Sequence, residues 1–150
     1  MLEAGEPHGA GPVGLGARDT LRLEKQYRLY GQDMDESVTA LEAGLGWTVK
    51  MDKGDFLGRE SLQEQKAAGV PRATIGLRVV EEGRHIPRPG FPVVSDGEEV
   101  GVVTSGTFSP TAEVGIALAR VSRPYASRGE LGIRIRGREV GTERVKKSFV

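Results

Sequence analysis

The pattern of apolar and polar residues changes near residue 73 and divides the chain into two parts. Beyond that point apolar residues recur at every second position in short runs between Gly and Pro residues, as in Ile75, Leu77 and Val79. This period of two predicts strands with one buried and one solvent-facing side. Strands are expected at 73–81, 91–95, 99–105, 115–122, 130–136 and 139–147. Six short strands in so short a span favour a small antiparallel β-barrel, since closure leaves no strand edge unpaired.

The residues before 73 have a different pattern, with apolar side chains among many charged ones. One amphipathic helix is predicted to begin near Gly14, to bury Leu21, Leu23, Tyr27, Leu29 and Tyr30, and to end at Gly31. Residues 33–41 are turn-like, 45–49 form a strand candidate, and 58–68 form a short helix with Leu62 and Ala67 facing inward. The fold class expected is mainly β, with an α+β N-terminal segment before the barrel.

Composition narrows the function classes. Twenty-one basic and twenty-one acidic residues cancel, and no basic face stands out, so neither nucleic acid nor a membrane surface is expected as a partner. The absence of cysteine removes disulfides and thiolate chemistry. Residues 1–16 lack the basic start and apolar core of a signal peptide, so the protein is expected in the cytoplasm.

Five sequence pieces resemble one family in order along the chain. They are GLGARDTLRLE from Gly14, LYGQDMDE from Leu29, LEAGLGWTVK from Leu41, DFLGRESL from Asp55 and GVVTSGTFSP from Gly101. This series resembles the T-protein of the glycine cleavage system, a tetrahydrofolate-dependent aminomethyltransferase. The resemblance covers nearly the whole chain but only the C-terminal part of the family.

The resemblance implies a domain division and a reaction. Residues 1–50 are expected to be a remnant of the central folate-binding domain, 51–72 a connecting helix, and 73–150 the C-terminal barrel. The family accepts an aminomethyl group on the lipoyl arm of its partner H-protein and transfers the methylene to tetrahydrofolate, releasing ammonia. The family's catalytic aspartate lies in its N-terminal part and matches no residue here. The chain is therefore expected to begin inside a domain and to be inactive alone.

Three residues are candidates for binding the folate cofactor. The resemblance implies that Arg18 lines the folate pocket, where a planar guanidinium could donate to folate's acceptors; the alternative is an ion pair with Asp19 or Glu24. Trp47 aligns with a family tryptophan near folate, although as the single tryptophan it could equally belong to the core. Glu24 is a weaker candidate, because a carboxylate on a charged helix face is usually a solvated ion pair.

Other features are interpreted as structural. The hydroxyl-rich stretch from Thr104 to Pro110 lacks the signature of a phosphate loop and is interpreted as a barrel turn. His8 and His85 are far apart without metal-ligand spacing, so no metal is expected.

Two alternatives to the aminomethyltransferase stay open: the folate-binding region of a dimethylglycine or sarcosine dehydrogenase, and a non-enzymatic binding module. The apolar stripe of the N-terminal segment is expected either to pack on the barrel or to form a homodimer.

Overall fold

Six antiparallel strands close into a barrel that forms the larger part of the molecule. A computed structural model describes residues 1–150. The strands follow one another around the barrel in the order β1-β4-β3-β2-β5-β6. Their bounds are β1 Arg72–Val79, β2 Pro92–Ser95, β3 Glu98–Ser109, β4 Val114–Ser122, β5 Glu130–Ile135 and β6 Arg138–Val145. The six predicted strands and the barrel are confirmed, with β3 four residues longer at its end than expected.

Alternate residues of the strands fill the barrel interior. Ile75, Leu77 and Val79 from β1 lie in one apolar cluster with side chains of all the other strands. Asp96 and Gly97 form the turn between β2 and β3, with φ of 54° and 83°. These positive angles match a turn whose twist suits a two-residue hairpin.

The outer face of β1 is not solvent-facing, and that part of the prediction is wrong. Thr74 and Gly76 are buried because the N-terminal segment covers them. A Cβ added to Gly76 would lie 2.4 Å from Nε2 of Gln26, so glycine at this position leaves room for the side-chain amide of Gln26. On β4, Ile116 and Leu118 are likewise fully buried on the outside, against Leu23 of the N-terminal segment.

The N-terminal segment is helical at its start and then runs through turns. Helix α1 spans Leu2–Gly5, α2 spans Leu15–Glu24, and a 3-10 turn covers Gly46–Thr48. The predicted strand at 45–49 is therefore wrong, because its centre is this 3-10 turn. Helix α3 spans Arg59–Ala68. Leu62 of α3 is half-buried as expected, whereas Ala67 is exposed.

Helix α2 ends seven residues before the predicted terminus at Gly31. Gln26 takes φ of 56°, its N–H donates to the Leu23 carbonyl at 2.8 Å, and the Tyr27 N–H donates to the Arg22 carbonyl at 2.8 Å. This pair of bonds is a Schellman cap with Gln in the position that glycine usually takes. The apolar residues after Thr20 were predicted to share one buried helix face, and this is only partly so. Leu23 is buried, whereas Leu21, Tyr27 and Tyr30 are exposed. No helix in the structure combines the length and apolarity needed to cross a membrane.

Candidate functional site

Hydroxyl groups of β3 hold the N-terminal segment against the barrel. The Oγ1 of Thr104 donates to Oδ1 of Asp33 at 2.6 Å, and the Oγ of Ser109 donates to Oε1 of Glu24 at 2.5 Å. Both hydroxyls therefore lie in a strand and bind carboxylates. The interpretation of Thr104–Pro110 as a barrel turn is wrong for these residues, since β3 runs to Ser109.

Asp33 is the centre of a buried ionic network. Its side chain is fully buried, and Oδ2 accepts from Nη1 of Arg22 at 2.6 Å and from the Leu29 N–H at 2.9 Å. Arg22, only 11% exposed, also donates to Oδ1 of Asp19 at 2.5 Å and to Oγ of Ser105 at 2.9 Å. Burying a charge costs far less when it is paired and hydrogen-bonded in this way. The network fixes the segment after α2 to the barrel.

The residues after α2 are held by a second set of contacts. Nε2 of Gln26 donates to the Val145 carbonyl at 3.0 Å, and Nε of Arg28 donates to the Ala43 carbonyl at 2.9 Å. Burial lowers the pKa of Arg28, and the negative charge of Asp33 partly opposes that effect. These contacts position Tyr27, which lies between Gln26 and Arg28, with its ring facing solvent.

An open cleft of about 590 Å³ lies beside this segment. The rings of Trp47 and Tyr27 reach it largely exposed, at 74% and 67%. Four of its lining side chains are cationic and none is a carboxylate. The lining residues are Lys25, Gln26, Tyr27, Arg28, Met34, Gly44, Leu45, Trp47, Lys146, Lys147 and Ser148. Aromatic faces beside cations suit an anionic ligand with a flat ring system.

The structure does not bring the three predicted site residues into one pocket. Trp47 lies in the cleft and is not part of the core. Arg18 is exposed on α2 and does not line the cleft; it makes no ion pair with Asp19 or Glu24, since Asp19 pairs with Arg22. Glu24 is buried and accepts from Ser109, so its interpretation as a solvated ion pair is wrong.

Several residues of the cleft were not predicted from the sequence. Tyr27 was assigned to a buried stripe because the helix was expected to continue through it. Lys146 and Lys147 come from the other end of the chain, just after β6, and no local pattern connects them with Trp47. The adjacent pair of lysines was the only sequence feature that could have indicated a binding surface there.

A second cleft, at the end of the barrel where β5 turns into β6, is rich in arginine. It measures about 460 Å³ and shares no residue with the first. Arg84, Arg88, Arg136 and Arg138 surround it, and no carboxylate is among its lining residues. Arg136 takes φ of 51° in the turn between β5 and β6, where Asn, Asp or Gly would be favoured.

His85 lines the arginine cleft, and its Nε2 lies 3.1 Å from the Glu82 carbonyl oxygen. No group of three His, Cys, Asp or Glu side chains is placed to hold a metal ion.

The fold is a closed six-stranded barrel with a helical segment packed against its outer face. Two family models match these two parts of the chain. Residues 72–150 match the family model described as the glycine cleavage T-protein C-terminal barrel domain, and residues 1–53 match the GCVT N-terminal domain. The chain therefore belongs to the glycine cleavage T-protein family.

Relatives support the same assignment. An aminomethyltransferase from Halothermothrix orenii is 48% identical over 151 residues, covering 100% of this chain and 42% of the relative. One from Nostoc sp. is 54% identical over 143 residues, covering 94% of this chain and 38% of the relative. The crystal structure of glycine cleavage system aminomethyltransferase T from Bartonella henselae has a TM-score of 0.84 at 32% identity, over 92% of this chain and 39% of that one. The chain thus spans about two fifths of these relatives' length.

Proposed function

We propose that the chain forms the C-terminal portion of an aminomethyltransferase of the glycine cleavage system. The reaction transfers a methylene group from the aminomethyl-lipoyl arm of H-protein to tetrahydrofolate and releases ammonia. Membership of the T-protein family supports this proposal, as do the names of the relatives. Those names favour an aminomethyltransferase over the folate-binding region of a dehydrogenase.

The proposed folate site is the cleft at Trp47. The observation that carries it is an indole ring left 74% exposed beside cations, in a cleft with no lining carboxylate. Tryptophan is highly buried on average, so such exposure indicates a surface that a ligand or partner covers. We propose that Trp47 and Tyr27 pack on the aromatic part of tetrahydrofolate. The family resemblance supports a further contact from Arg18, which lies on α2 outside the lining of the cleft and has no side-chain partner, with a part of the ligand that extends beyond the cleft. A role for Glu24 in folate binding stays a prediction; its contact with Ser109 would act by positioning α2.

Binding at this site is directly measurable because Trp47 is the single tryptophan of the chain. Titration with tetrahydrofolate should change its fluorescence in a saturable way, and calorimetry should give the same dissociation constant. The Arg18→Ala variant is expected to bind about tenfold or more weakly, the range for losing a charged hydrogen bond. Lys66→Ala, on the exposed face of α3, is the matched control for losing a cation. Absence of saturable binding to the unmodified chain would refute the assignment of the cleft.

We propose that these 150 residues bind folate without completing the reaction. Aminomethyl transfer needs an acid or base at the folate nitrogen, and the cleft has no lining carboxylate, while Asp33 and Glu24 are buried in other contacts. The purified chain mixed with aminomethyl-loaded H-protein and tetrahydrofolate should release no ammonia above the protein-free rate. Release well above that rate would contradict the proposal.

We propose the arginine cleft as the docking surface for the lipoyl-carrying H-protein. Arg84, Arg88 and Arg136 make no side-chain hydrogen bond or ion pair, so their donors are free for carboxylates of a partner. Reversing two charges, as in Arg88→Glu with Arg136→Glu, should abolish calorimetric binding of H-protein. Reversal of the exposed Lys50 and Lys66, neither of which makes a side-chain hydrogen bond or ion pair, is the control. Equal binding by both double variants would place the partner elsewhere.

A further inference from the structure

A third cavity lies at the edge of β1, where its pairing with β6 stops. Strand β6 pairs with β1 only at Gly76–Val79, so the first residues of β1 have no strand on that side. The turn at residues 41–44 covers part of this edge, since the Thr74 N–H donates to the Glu42 carbonyl at 2.8 Å. The cavity beside it measures about 330 Å³. Its apolar walls come from Leu41, Ala73, Ile75 and Ala126.

Two arginines line this cavity without an anionic partner. Arg144 of β6 lies opposite Leu77 of β1, and residues directly opposite each other share one face of a sheet. Leu77 belongs to the interior cluster, so Arg144 faces the inside of the barrel at its end, where it is partly buried. Arg123, in the 3-10 turn that follows β4, is exposed. Neither side chain makes a hydrogen bond or an ion pair, and no carboxylate lines the cavity.

The carboxylate of the covering turn is already occupied. Glu42 accepts from Nε of Arg72 at 2.7 Å and from the Thr39 N–H at 3.2 Å. Arg144 is therefore left partly buried with no counter-charge in its cavity. Because burying a cation without a partner is unfavourable, an anion bound beside Arg144 would remove that cost.

Ser127 adds neutral donors to the two guanidinium groups. It lines the same cavity, and neither its hydroxyl nor its N–H bonds to a protein group. A guanidinium presents its N–H groups as a fork that matches the oxygens of a carboxylate or a phosphate. All the charged side chains of the lining thus have the same sign and the geometry that suits an oxyanion.

From this arrangement we infer that Arg123, Arg144 and Ser127 form a binding site for a small oxyanion, either a carboxylate or a phosphate group. The inference does not rest on the proposed folate site, because the cavity shares only Gly44 with the cleft at Trp47. The site is open to water, so its charged hydrogen bonds should give a dissociation constant of about 1 mM.

The test titrates the whole chain by calorimetry with sodium phosphate and, separately, with sodium succinate, at an ionic strength fixed with sodium chloride. At least one anion should bind saturably, and the comparison shows which oxyanion group the site prefers. In Arg123→Gln with Arg144→Gln the affinity should fall at least about tenfold, the range for losing charged hydrogen bonds. Two controls remove the same charge elsewhere and should keep the affinity. They are Arg88→Gln with Arg136→Gln, in the arginine cleft, and Lys50→Gln with Lys66→Gln, on the exposed surface.

Urea denaturation gives a second measurement that also shows whether the variant folds. An anion that binds only the folded chain should raise the midpoint by about 0.7 M for each tenfold rise in concentration above the dissociation constant. The midpoint of the Arg123–Arg144 variant should not rise. The amide resonance of Ser127 should shift during the titration of the unmodified chain, because its N–H is free to donate to the anion.

Three results would overturn the oxyanion site. They are no saturable binding of either anion, binding that the Arg123–Arg144 variant retains, and binding that only the Arg88–Arg136 variant loses, which would place the anion in the arginine cleft. None of these results bears on the folate proposal, which Trp47 fluorescence tests separately. Tetrahydrofolate should bind the Arg123–Arg144 variant as it binds the unmodified chain.

Discussion

Replacement of Asp33 by asparagine tests whether the buried ionic network holds the N-terminal segment on the barrel. Asparagine keeps the shape of the side chain but removes its charge. Its NH₂ group, which cannot accept a hydrogen bond, would also face groups that donate. Three groups now donate to the carboxylate: Arg22, the Leu29 N–H and Thr104. Removing one partner of a buried ion pair costs about 3–5 kcal/mol. Arg22 keeps its bond to the half-exposed Asp19, so the lower end, about 3 kcal/mol, is expected.

The loss is measurable by urea denaturation followed by circular dichroism. With a slope of about 2 kcal/mol/M, the midpoint should fall by about 1.5 M. Glu24→Gln is the informative comparison, because Glu24 is equally buried but accepts from a neutral hydroxyl and forms no ion pair. Its cost should be about 1 kcal/mol. Asp52→Asn, on an exposed turn, is the control for losing a carboxylate at the surface.

Hydrogen exchange shows which part of the chain the Asp33→Asn substitution destabilises. Amides of the segment from α2 to Asp33 should exchange faster in Asp33→Asn, whereas strands on the far side of the barrel, such as β5, should change much less. A midpoint within 0.2 M of the unmodified chain, that is, about 0.4 kcal/mol at the slope given above, would show that the network contributes little net stability. Equal acceleration in every strand would show that segment and barrel unfold as one unit.

Three further predictions concern the packing at Gly76, the pKa of Glu42 and the exposed apolar side chains of the N-terminal segment. Gly76→Ala should cost about 1 kcal/mol in urea denaturation, because the new Cβ, 2.4 Å from Nε2 of Gln26, would displace that amide from its bond to the Val145 carbonyl. In a Gln26→Gly chain, which lacks that bond, the same change should cost much less; a neutral single variant would contradict this. Burial raises the pKa of Glu42, but bonds from Arg72 and Thr39 lower it more, so the net pKa lies below its ordinary value. Glu42 therefore stabilises the fold above its unfolded pKa of about 4.3 and loses this contribution as the pH falls through the folded pKa. The stability difference between Glu42→Gln and the unmodified chain should shrink between pH 7 and pH 2, and a constant difference would contradict the sign. Finally, the exposed Leu15, Leu21 and Tyr30 should support a homodimer at high concentration in light scattering, and a monomer at every concentration would contradict it.

The barrel was predictable from sequence because its signals are local. Strand alternation and the Asp96-Gly97 turn depend on a few neighbouring residues, and all six strands were found within a few residues of their observed ends. Closure into a barrel followed from their number and spacing. The family assignment was also available, because its motifs are contiguous pieces of sequence.

The end of α2 was not predictable, because its signal is absent from the sequence. Glycine at the cap would have indicated the left-handed residue, but Gln26 takes this conformation instead. Its side chain compensates through the bond to Val145 on β6, which is 119 residues away. A tertiary contact therefore ends the helix, and local propensity could not reveal it.

The candidate site was only partly predictable for the same reason. Trp47 was identified through its motif, but the cleft around it is assembled from residues near 25, 47 and 147. The carboxylates of Asp33 and Glu24 pair with hydroxyls 71 and 85 residues further along the chain. Those hydroxyls were visible as a motif, and only the fold shows that they bind the N-terminal segment.

The outer face of β4 shows why the barrel packs against the N-terminal segment. Ala117, Ala119 and Val121 face the barrel interior, while Ile116 and Leu118 face outward, and all five are fully buried. A strand with apolar residues on both sides needs cover on both sides. Leu23 and Phe149 supply the outer cover, and the same contact brings the end of α2 beside the residues that follow β6. The packing that buries β4 is thus also what places Lys25 next to Lys146 and Lys147, so the cleft is a direct consequence of how the barrel is covered.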